Sequence, residues 1–94
     1  MADFDVAHIN HQGVDLIIVP LDTSFGYKSQ SEQDSITRGL QVCAASAGLA
    51  GTVVPVWVSN GGMAFIAPQA WHPFFQSIDM RYVAMKVNRR LTCG

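Results

Sequence analysis

His72 is the side chain of this sequence best placed for acid–base chemistry, because it lies among the aromatic residues Trp71, Phe74 and Phe75. A histidine in such a stretch could titrate near neutral pH and act as an acid, a base or a ligand contact. The same residues also fit a plug of aromatic mass that closes one end of the core. Both interpretations stay open at this point, and any pocket in the fold is expected near Trp71 and His72.

The other two histidines, His8 and His11, do not predict a metal site. Positions three apart in a strand point to opposite faces of the sheet, so the two rings cannot chelate one ion. Cys43 and Cys93 are too few and too far apart for a structural zinc site. We therefore expect no metal ligands and no cofactor.

Asp22 and Ser24 follow an apolar run, at the end of a strand where α/β proteins often carry function. Together with His72 they could be imagined as a nucleophile system, but the Gly-x-Ser-x-Gly motif is absent. A turn in which the Asp22 side chain accepts a backbone hydrogen bond explains the pair more simply. The sequence predicts no catalytic residues, and an enzyme of this kind would need a site at a subunit interface.

The two cysteines are predicted to be reduced thiols of a cytoplasmic protein, because residues 1–5 carry no sign of an export signal. Cys43 lies on the apolar stripe of a predicted helix, so its thiol is expected to be buried and inert. Cys93 lies near the end of the chain. The apolar runs are far shorter than the ~20 residues that cross a bilayer, so no membrane association is expected.

The first elements of the chain are two strands joined by a short turn. Gln12-Gly13 separates two β-like runs, residues 4–11 and 14–21, and indicates a tight hairpin. The second run is apolar on both faces, which is typical of a strand covered on both sides.

A helix follows the hairpin. Ser29 and Glu32 have the spacing of a capping box, in which each side chain bonds to the backbone of the other residue. Gly48 is the natural stop at the other end. Between them, one apolar stripe at helical spacing faces a core; it consists of Ile36, Leu40, Cys43 and Ala47.

A second hairpin occupies the middle of the chain. Residues 52–58 form a strong strand pattern interrupted by Pro55, which cannot donate to a ladder and predicts an edge or a bulge. Asn60-Gly61 then fits a type I′ turn, and residues 63–67 return as the partner strand.

The last third is predicted to hold a short helix and a final strand. Pro73 suits the first turn of a short helix within residues 69–78. Apolar and polar residues alternate over residues 81–91, which predicts a strand. Its apolar face would carry Val83, Met85, Val87 and Leu91.

These elements predict a single α+β domain over residues 1–94, in the order β-β-α-β-β-(short α)-β. We expect a mostly antiparallel five-stranded sheet with one main helix on one face. In a profilin-like arrangement the first two strands pair at one side, the helix crosses, and the last three strands form a meander. A ferredoxin-like split βαβ unit is the alternative. The first hairpin favours the profilin-like arrangement, because it places the first strand in a position that the split unit needs.

Charged residues make up only 14% of the chain and hydrophobic residues 49%, against about 25% charged in a typical globular protein. A small domain with so few charged residues tends to bury apolar surface against a partner. We therefore expect a homo-oligomer, with a dimer as the first expectation for its size. One helix also covers only part of a five-stranded sheet. The first hypothesis is therefore a non-catalytic interaction or assembly module whose sheet face or edge strand forms the contact.

The alternative hypothesis is a small-molecule binding domain with an apolar pocket. Its ligand would be a small apolar molecule. The expected lining is Trp57, Phe65, Trp71 and Tyr82, with polarity from His72 or Asp22.

Nucleic acid is not favoured as a partner, because the net charge is −1. Residues 62–66 resemble in part the third-strand consensus of RNA recognition motifs, with matching glycine, small, phenylalanine and β-branched positions. Gly61 replaces the basic residue, and Met63 and Pro68 replace aromatics that stack on bases. Single-stranded RNA binding is therefore the weakest hypothesis.

Overall fold

In the computed structural model, which describes residues 2–93, five strands form one sheet with helices on both of its faces. The order of elements is β-β-α-β-β-α-α-β, with a 3-10 turn before the first helix and another before the second. The predicted α+β class is confirmed. The strands are β1 (Ala2–His11), β2 (Val14–Pro20), β3 (Thr52–Ser59), β4 (Gly62–Phe65) and β5 (Arg89–Cys93). The helices are α1 (Gln30–Ser46), α2 (His72–Gln76) and α3 (Met80–Lys86), and the 3-10 turns are Thr23–Tyr27 and Gln69–Trp71.

The strands lie in the order β4-β3-β2-β1-β5. β2 and β3 are parallel neighbours joined through α1, and the other three pairings are antiparallel, so the sheet is mixed. The profilin-like arrangement is correct for the first hairpin but wrong for the meander, because β5 pairs with β1 at the far edge. The split βαβ alternative is wrong as well, since no strand lies between β2 and β3.

Both hairpin turns form as predicted. Gln12 and Gly13 have φ of 54° and 81°, and Asn60 and Gly61 have φ of 51° and 78°. Positive φ at both central residues is the mark of the type I′ turn, whose twist matches that of the strands on either side.

The boundaries of α1 are also those that the sequence predicts. Ser29 Oγ accepts from the Glu32 N–H at 3.2 Å, and the Glu32 carboxylate accepts from the Ser29 N–H at 3.4 Å, which completes the capping box. At the other end Gly48 has φ of 80°. There the Leu49 N–H donates to the Ala44 carbonyl at 2.9 Å, as in a Schellman motif.

The predicted strand over residues 81–91 is wrong in its first half, which forms α3. Asp79 caps this helix, because its carboxylate accepts from the Tyr82 N–H at 2.9 Å. Apolar residues at the alternating positions of a strand can also lie on one face of a helix, and in this segment the residues form the capped helix. Val83 is buried in both interpretations, but Met85 of the predicted apolar face is 77% exposed.

The core has two layers, one on each face of the sheet, and β2 contributes to both because residues 16–19 are fully buried. The expected main helix, α1, covers one face. The sequence did not predict that α2 and α3 cover the other face, so an open sheet face no longer supports self-association. The α1 layer contains Val6, Ile17, Val19, Leu40, Ala44, Val53 and Leu91. The opposite layer contains Ala7, Leu16, Ile18, Val54, Val56, Phe75 and Val83.

Cys43 and Cys93 form a disulfide that joins α1 to β5, with the two Cα atoms 5.7 Å apart. The prediction of reduced thiols is therefore wrong. The cause lies in the topology: β5 packs its Leu91 against Leu40 and Ala44 of α1, and this carries Cys93 to the side of the helix where Cys43 lies. Among residues 2–93, no helix is long and apolar enough to cross a membrane.

Candidate interaction surface

Four of the five predicted ligand-binding residues belong to one aromatic cluster on the α2 face of the sheet. The Phe65 ring contacts His72 edge-on and Phe75 at a tilt, with 5.3 Å between ring centroids in both pairs. Phe74 contacts Phe75 edge-on at 5.1 Å and links Trp71, at 6.1 Å, and Tyr82, at 6.3 Å, to the same cluster. Rings at these separations attract each other through their quadrupoles, so the cluster supports itself as packed aromatic mass.

His11 also belongs to this cluster, a contact that the sequence did not predict. Its ring lies 4.4 Å from Phe74 and 5.8 Å from Trp71, measured between centroids. His8 lies on the opposite face, where its Nε2 is 2.8 Å from the Ala50 carbonyl. The two histidines therefore point to opposite faces, as their spacing predicts.

His72 is tied to the backbone beside the cluster. Its Nε2 lies 3.0 Å from the Ala67 carbonyl oxygen, and because that oxygen only accepts, Nε2 carries the proton. This bond fixes the ring against Phe65. A contact between His72 and a small apolar ligand stays a prediction, and the ring contacts are those that the plug interpretation expects.

Asp22, Ser24 and His72 are not brought together. Asp22 caps the 3-10 turn Thr23–Tyr27, because its carboxylate accepts from the Ser24 N–H at 3.3 Å. Hydrogen bonds from the Ser24 side chain and backbone hold the pKa of Asp22 below its ordinary value. This is the turn that the simpler interpretation of the sequence predicts.

Trp57, the fifth predicted ligand contact, lies on the other face of the sheet from the aromatic cluster. It is 8% exposed and packs against Phe25 of the 3-10 turn, with 4.9 Å between the ring centroids. Gly26 lets the turn approach the indole, because a Cβ built at Gly26 would lie only 2.6 Å from Trp57 Nε1. A single pocket lined by all five predicted residues is therefore ruled out.

The contact between Gly26 and Trp57 leads to a paired prediction. Gly26→Ala is expected to lower the free energy of unfolding by about 1–3 kcal/mol, because a methyl group would be forced into a packed indole. Gly39→Ala is the control: it lies in α1, its Cβ meets no atom within 4 Å, and it should add about 0.5–1 kcal/mol. Urea unfolding of both variants gives the two values, and equal effects would contradict the prediction.

β4 is the outermost strand at one edge of the sheet, and no strand of residues 2–93 pairs with its outer side. The two-residue turn makes Ser59 and Gly62 a hydrogen-bonded pair. Because bonded and non-bonded pairs alternate, Ala64 also bonds to β3. Met63 and Phe65 therefore direct their backbone N–H and C=O groups outward, where no other strand of residues 2–93 lies.

β3 extends past β4, and the outward backbone groups of that extension are obstructed. The pairing with β4 ends at Val56. Gln41 of α1 accepts from the Val53 N–H at 2.8 Å, and the Pro55 carbonyl accepts from the Ile66 N–H at 3.1 Å. Pro55 itself offers no N–H. The edge position predicted from Pro55 is therefore wrong, because β3 lies between β2 and β4 and Pro55 pairs with Val19 of β2 while its carbonyl accepts from Ile66.

The opposite edge of the sheet is obstructed too. Just before β5 begins, the Asn88 side chain takes the place of a strand residue beside β1: its amide nitrogen donates to the His8 carbonyl and its amide oxygen accepts from the His8 N–H, both at 2.9 Å. β5 itself is short and begins with two exposed arginines, Arg89 and Arg90. Exposed charge is a device by which proteins block pairing at sheet edges, and it distinguishes β5 from β4, which is as short but carries no charged residue.

The described residues offer no group of three or more His, Cys, Asp or Glu side chains that could hold a metal ion. No protein-family model matches the chain, and no curated protein or solved structure is similar to it. Function is therefore inferred from the surface that the chain itself presents.

Proposed function

We propose that this protein is an interaction module that self-associates through the free edge of β4. The observation that carries the proposal is the pair of outward-facing backbone positions, Met63 and Phe65, in the β4 edge. Unpaired N–H and C=O groups of a strand are a template for another strand, and a second copy of β4 has the same free groups.

A two-fold axis at Ala64 gives the simplest geometry. Antiparallel pairing of two β4 strands would place Ala64 opposite its own copy as a non-hydrogen-bonded pair. Met63 would then face Phe65 of the other copy, and the two symmetric pairs would exchange about four backbone hydrogen bonds. Alanine at the axis is favourable because the side chains of a non-hydrogen-bonded pair lie close together, and two methyl groups fit there without crowding.

The composition of this segment supports pairing. Residues 61–67 contain no charged residue and no proline, in contrast to the arginines of β5 and the proline of β3. Their side chains from Met63 to Ala67 are only half-buried, so apolar surface remains for a partner. The low fraction of charged residues in the whole chain, 14%, also favours association.

The affinity of such a dimer is expected to be modest, because β4 has only four residues. About four backbone hydrogen bonds at a net ~1 kcal/mol each, with some apolar burial, must offset the lost freedom of two chains. The backbone bonds alone do not exceed that cost, so apolar burial must supply the remainder, and we expect a weak dimer with a Kd on the order of 100 μM or higher.

Sedimentation velocity from about 10 μM to about 1 mM tests the proposal. The wild-type chain is expected to shift from monomer to dimer across this range. Ala64→Lys should raise the Kd about tenfold, because two like charges would lie opposite each other at the axis. A monomer at every concentration would contradict the proposal.

A charge swap makes the test specific to β4. An equimolar mixture of Ala64→Lys and Ala64→Glu is expected to dimerise again, since opposite charges then meet across the axis. Val42→Lys is the matched control, because Val42 is 66% exposed on α1 and its replacement adds the same charge away from β4. Loss of the dimer in Val42→Lys but not in Ala64→Lys would overturn the proposal and place the contact on α1.

A further inference from the structure

A cavity of about 370 Å³ lies on the α1 side of the sheet, between α1, the end of β2 and the 3-10 turn Thr23–Tyr27. Its volume falls at the small end of the ~300–1,000 Å³ typical of small-molecule sites. None of its lining residues belongs to β4 or to the aromatic cluster. The apolar walls are Phe4, Leu21, Phe25 and Ile36, and the polar groups are Asp22, Ser24 and Lys28.

The apolar walls are held by the core beneath them. Phe25 is 3% exposed and is fixed by its contact with Trp57. Phe4, Leu21 and Ile36 pack against the α1 layer of the core but keep part of their surface free. An apolar group that enters the cavity would therefore meet a preformed wall and remove exposed hydrocarbon from water.

Two opposite charges belong to the same cavity. Asp22 is an exposed carboxylate whose Oδ2 accepts from the Ser24 N–H at 3.3 Å, and its exposure leaves room for a further donor. Hydrogen bonds from Ser24 lower the pKa of Asp22, so it is ionised at neutral pH. Lys28 is exposed, and no carboxylate of residues 2–93 pairs with it.

We infer that this cavity binds a free α-amino acid with an apolar side chain. The side chain would fill the space between Phe4, Leu21, Phe25 and Ile36. Its α-ammonium group would pair with Asp22 and its α-carboxylate with Lys28. An apolar wall beside one acidic and one basic group matches the three parts of such a ligand.

Binding is tested by titrating the ¹⁵N-labelled chain with leucine and following its amide resonances. Leucine is expected to shift the amides of residues 21–28 and of Ile36, with a Kd on the order of 1 mM because both charges are exposed. Glycine lacks the apolar group, N-acetyl-leucine lacks the ammonium and leucinamide lacks the carboxylate. Each of these is expected to bind at least about tenfold more weakly than leucine.

Two variants remove one charge each without disturbing the fold. Asp22→Asn keeps a good capping residue at the start of the 3-10 turn, and Lys28→Gln keeps the length of the side chain. Both variants should raise the Kd for leucine about tenfold or more. Asp34→Asn and Arg38→Gln, which change exposed charges of α1, should leave that Kd unchanged.

Several results would overturn the inference. They are an absence of shifts at about 20 mM leucine, equal shifts with glycine, and wild-type affinity in both Asp22→Asn and Lys28→Gln. Leucinamide binding as tight as leucine would also overturn it, since Lys28 would then have no carboxylate to bind. None of these measurements depends on whether β4 forms a dimer, because the lining residues lie elsewhere.

Discussion

Replacing both Cys43 and Cys93 by serine is expected to lower the free energy of unfolding by about 3–4 kcal/mol. The disulfide closes a loop that spans 50 positions of a 94-residue chain, so breaking it restores much of the freedom of the unfolded state. That is a large part of the ~5–10 kcal/mol that a domain of this size has in total. Urea unfolding of the wild-type and the double variant measures the difference.

A reducing agent provides the control for this prediction. Dithiothreitol should shift the urea midpoint of the wild-type chain to that of the Cys43→Ser/Cys93→Ser variant and should leave the midpoint of the variant itself unchanged. Equal midpoints for oxidised wild-type and variant would mean that the cross-link adds nothing to stability, contrary to the expectation.

Hydrogen exchange tells where the effect of the disulfide is greatest. β5 has five residues, lies at the edge of the sheet and pairs only with β1. Once the link to α1 is cut, the amides of β5 are expected to lose protection before those of β2, whose residues 16–19 are fully buried. A uniform loss of protection would show instead that the disulfide stabilises the whole fold equally.

The features that sequence reasoning predicted correctly are local ones. The capping box of Ser29 and Glu32 and the turn at Asn60-Gly61 depend on residues at most three positions apart. Their geometry is determined by the chain itself. The burial of residues 16–19 was predictable for a related reason, because a run that is apolar on both faces fits only an inner strand.

The features that it missed depend on partners far along the chain. β5 pairs with β1, and Asn88 bonds to His8 across 80 positions, which no local pattern discloses. The disulfide follows from that pairing, whereas the prediction of reduced thiols depends on an expected cytoplasmic location and not on where the two cysteines lie in the fold. No local pattern discloses either that α2 and α3 cover the second face of the sheet.

The proposed interaction edge at β4 depends both on a local feature of the sequence and on contacts between distant parts of the chain. Sequence alone predicts β4 from the Asn60-Gly61 turn, but the edge that it predicts for β3 from Pro55 is wrong, since β3 lies between β2 and β4. It does not disclose that Gln41 obstructs Val53 while Met63 stays free, because those relations depend on how α1 and β4 lie against β3. The open edge is therefore a property of the assembled fold.

Phe75→Ala is the second substitution with a large expected effect, a loss of about 3–5 kcal/mol in the free energy of unfolding. Phe75 is 1% exposed and lies between Phe65 at 5.3 Å and Phe74 at 5.1 Å, so its removal would leave a void in the α2 layer of the core. Urea unfolding is the measurement. Phe75→Leu retains most of the volume and should lose only about 1–1.5 kcal/mol, which keeps the test possible if the alanine variant does not fold.

This substitution also distinguishes the two interpretations of the aromatic cluster, as a plug of the core or as a ligand pocket. If the cluster is a plug, the void in Phe75→Ala is new and apolar, and benzene should raise the melting temperature of the variant while leaving the wild-type chain unchanged. If a pocket already exists beside Trp71 and His72, benzene should stabilise the wild-type chain as well. The ring contacts of Phe65 with both His72 and Phe75 favour the first result, because rings that pack against one another occupy the space that a pocket would need.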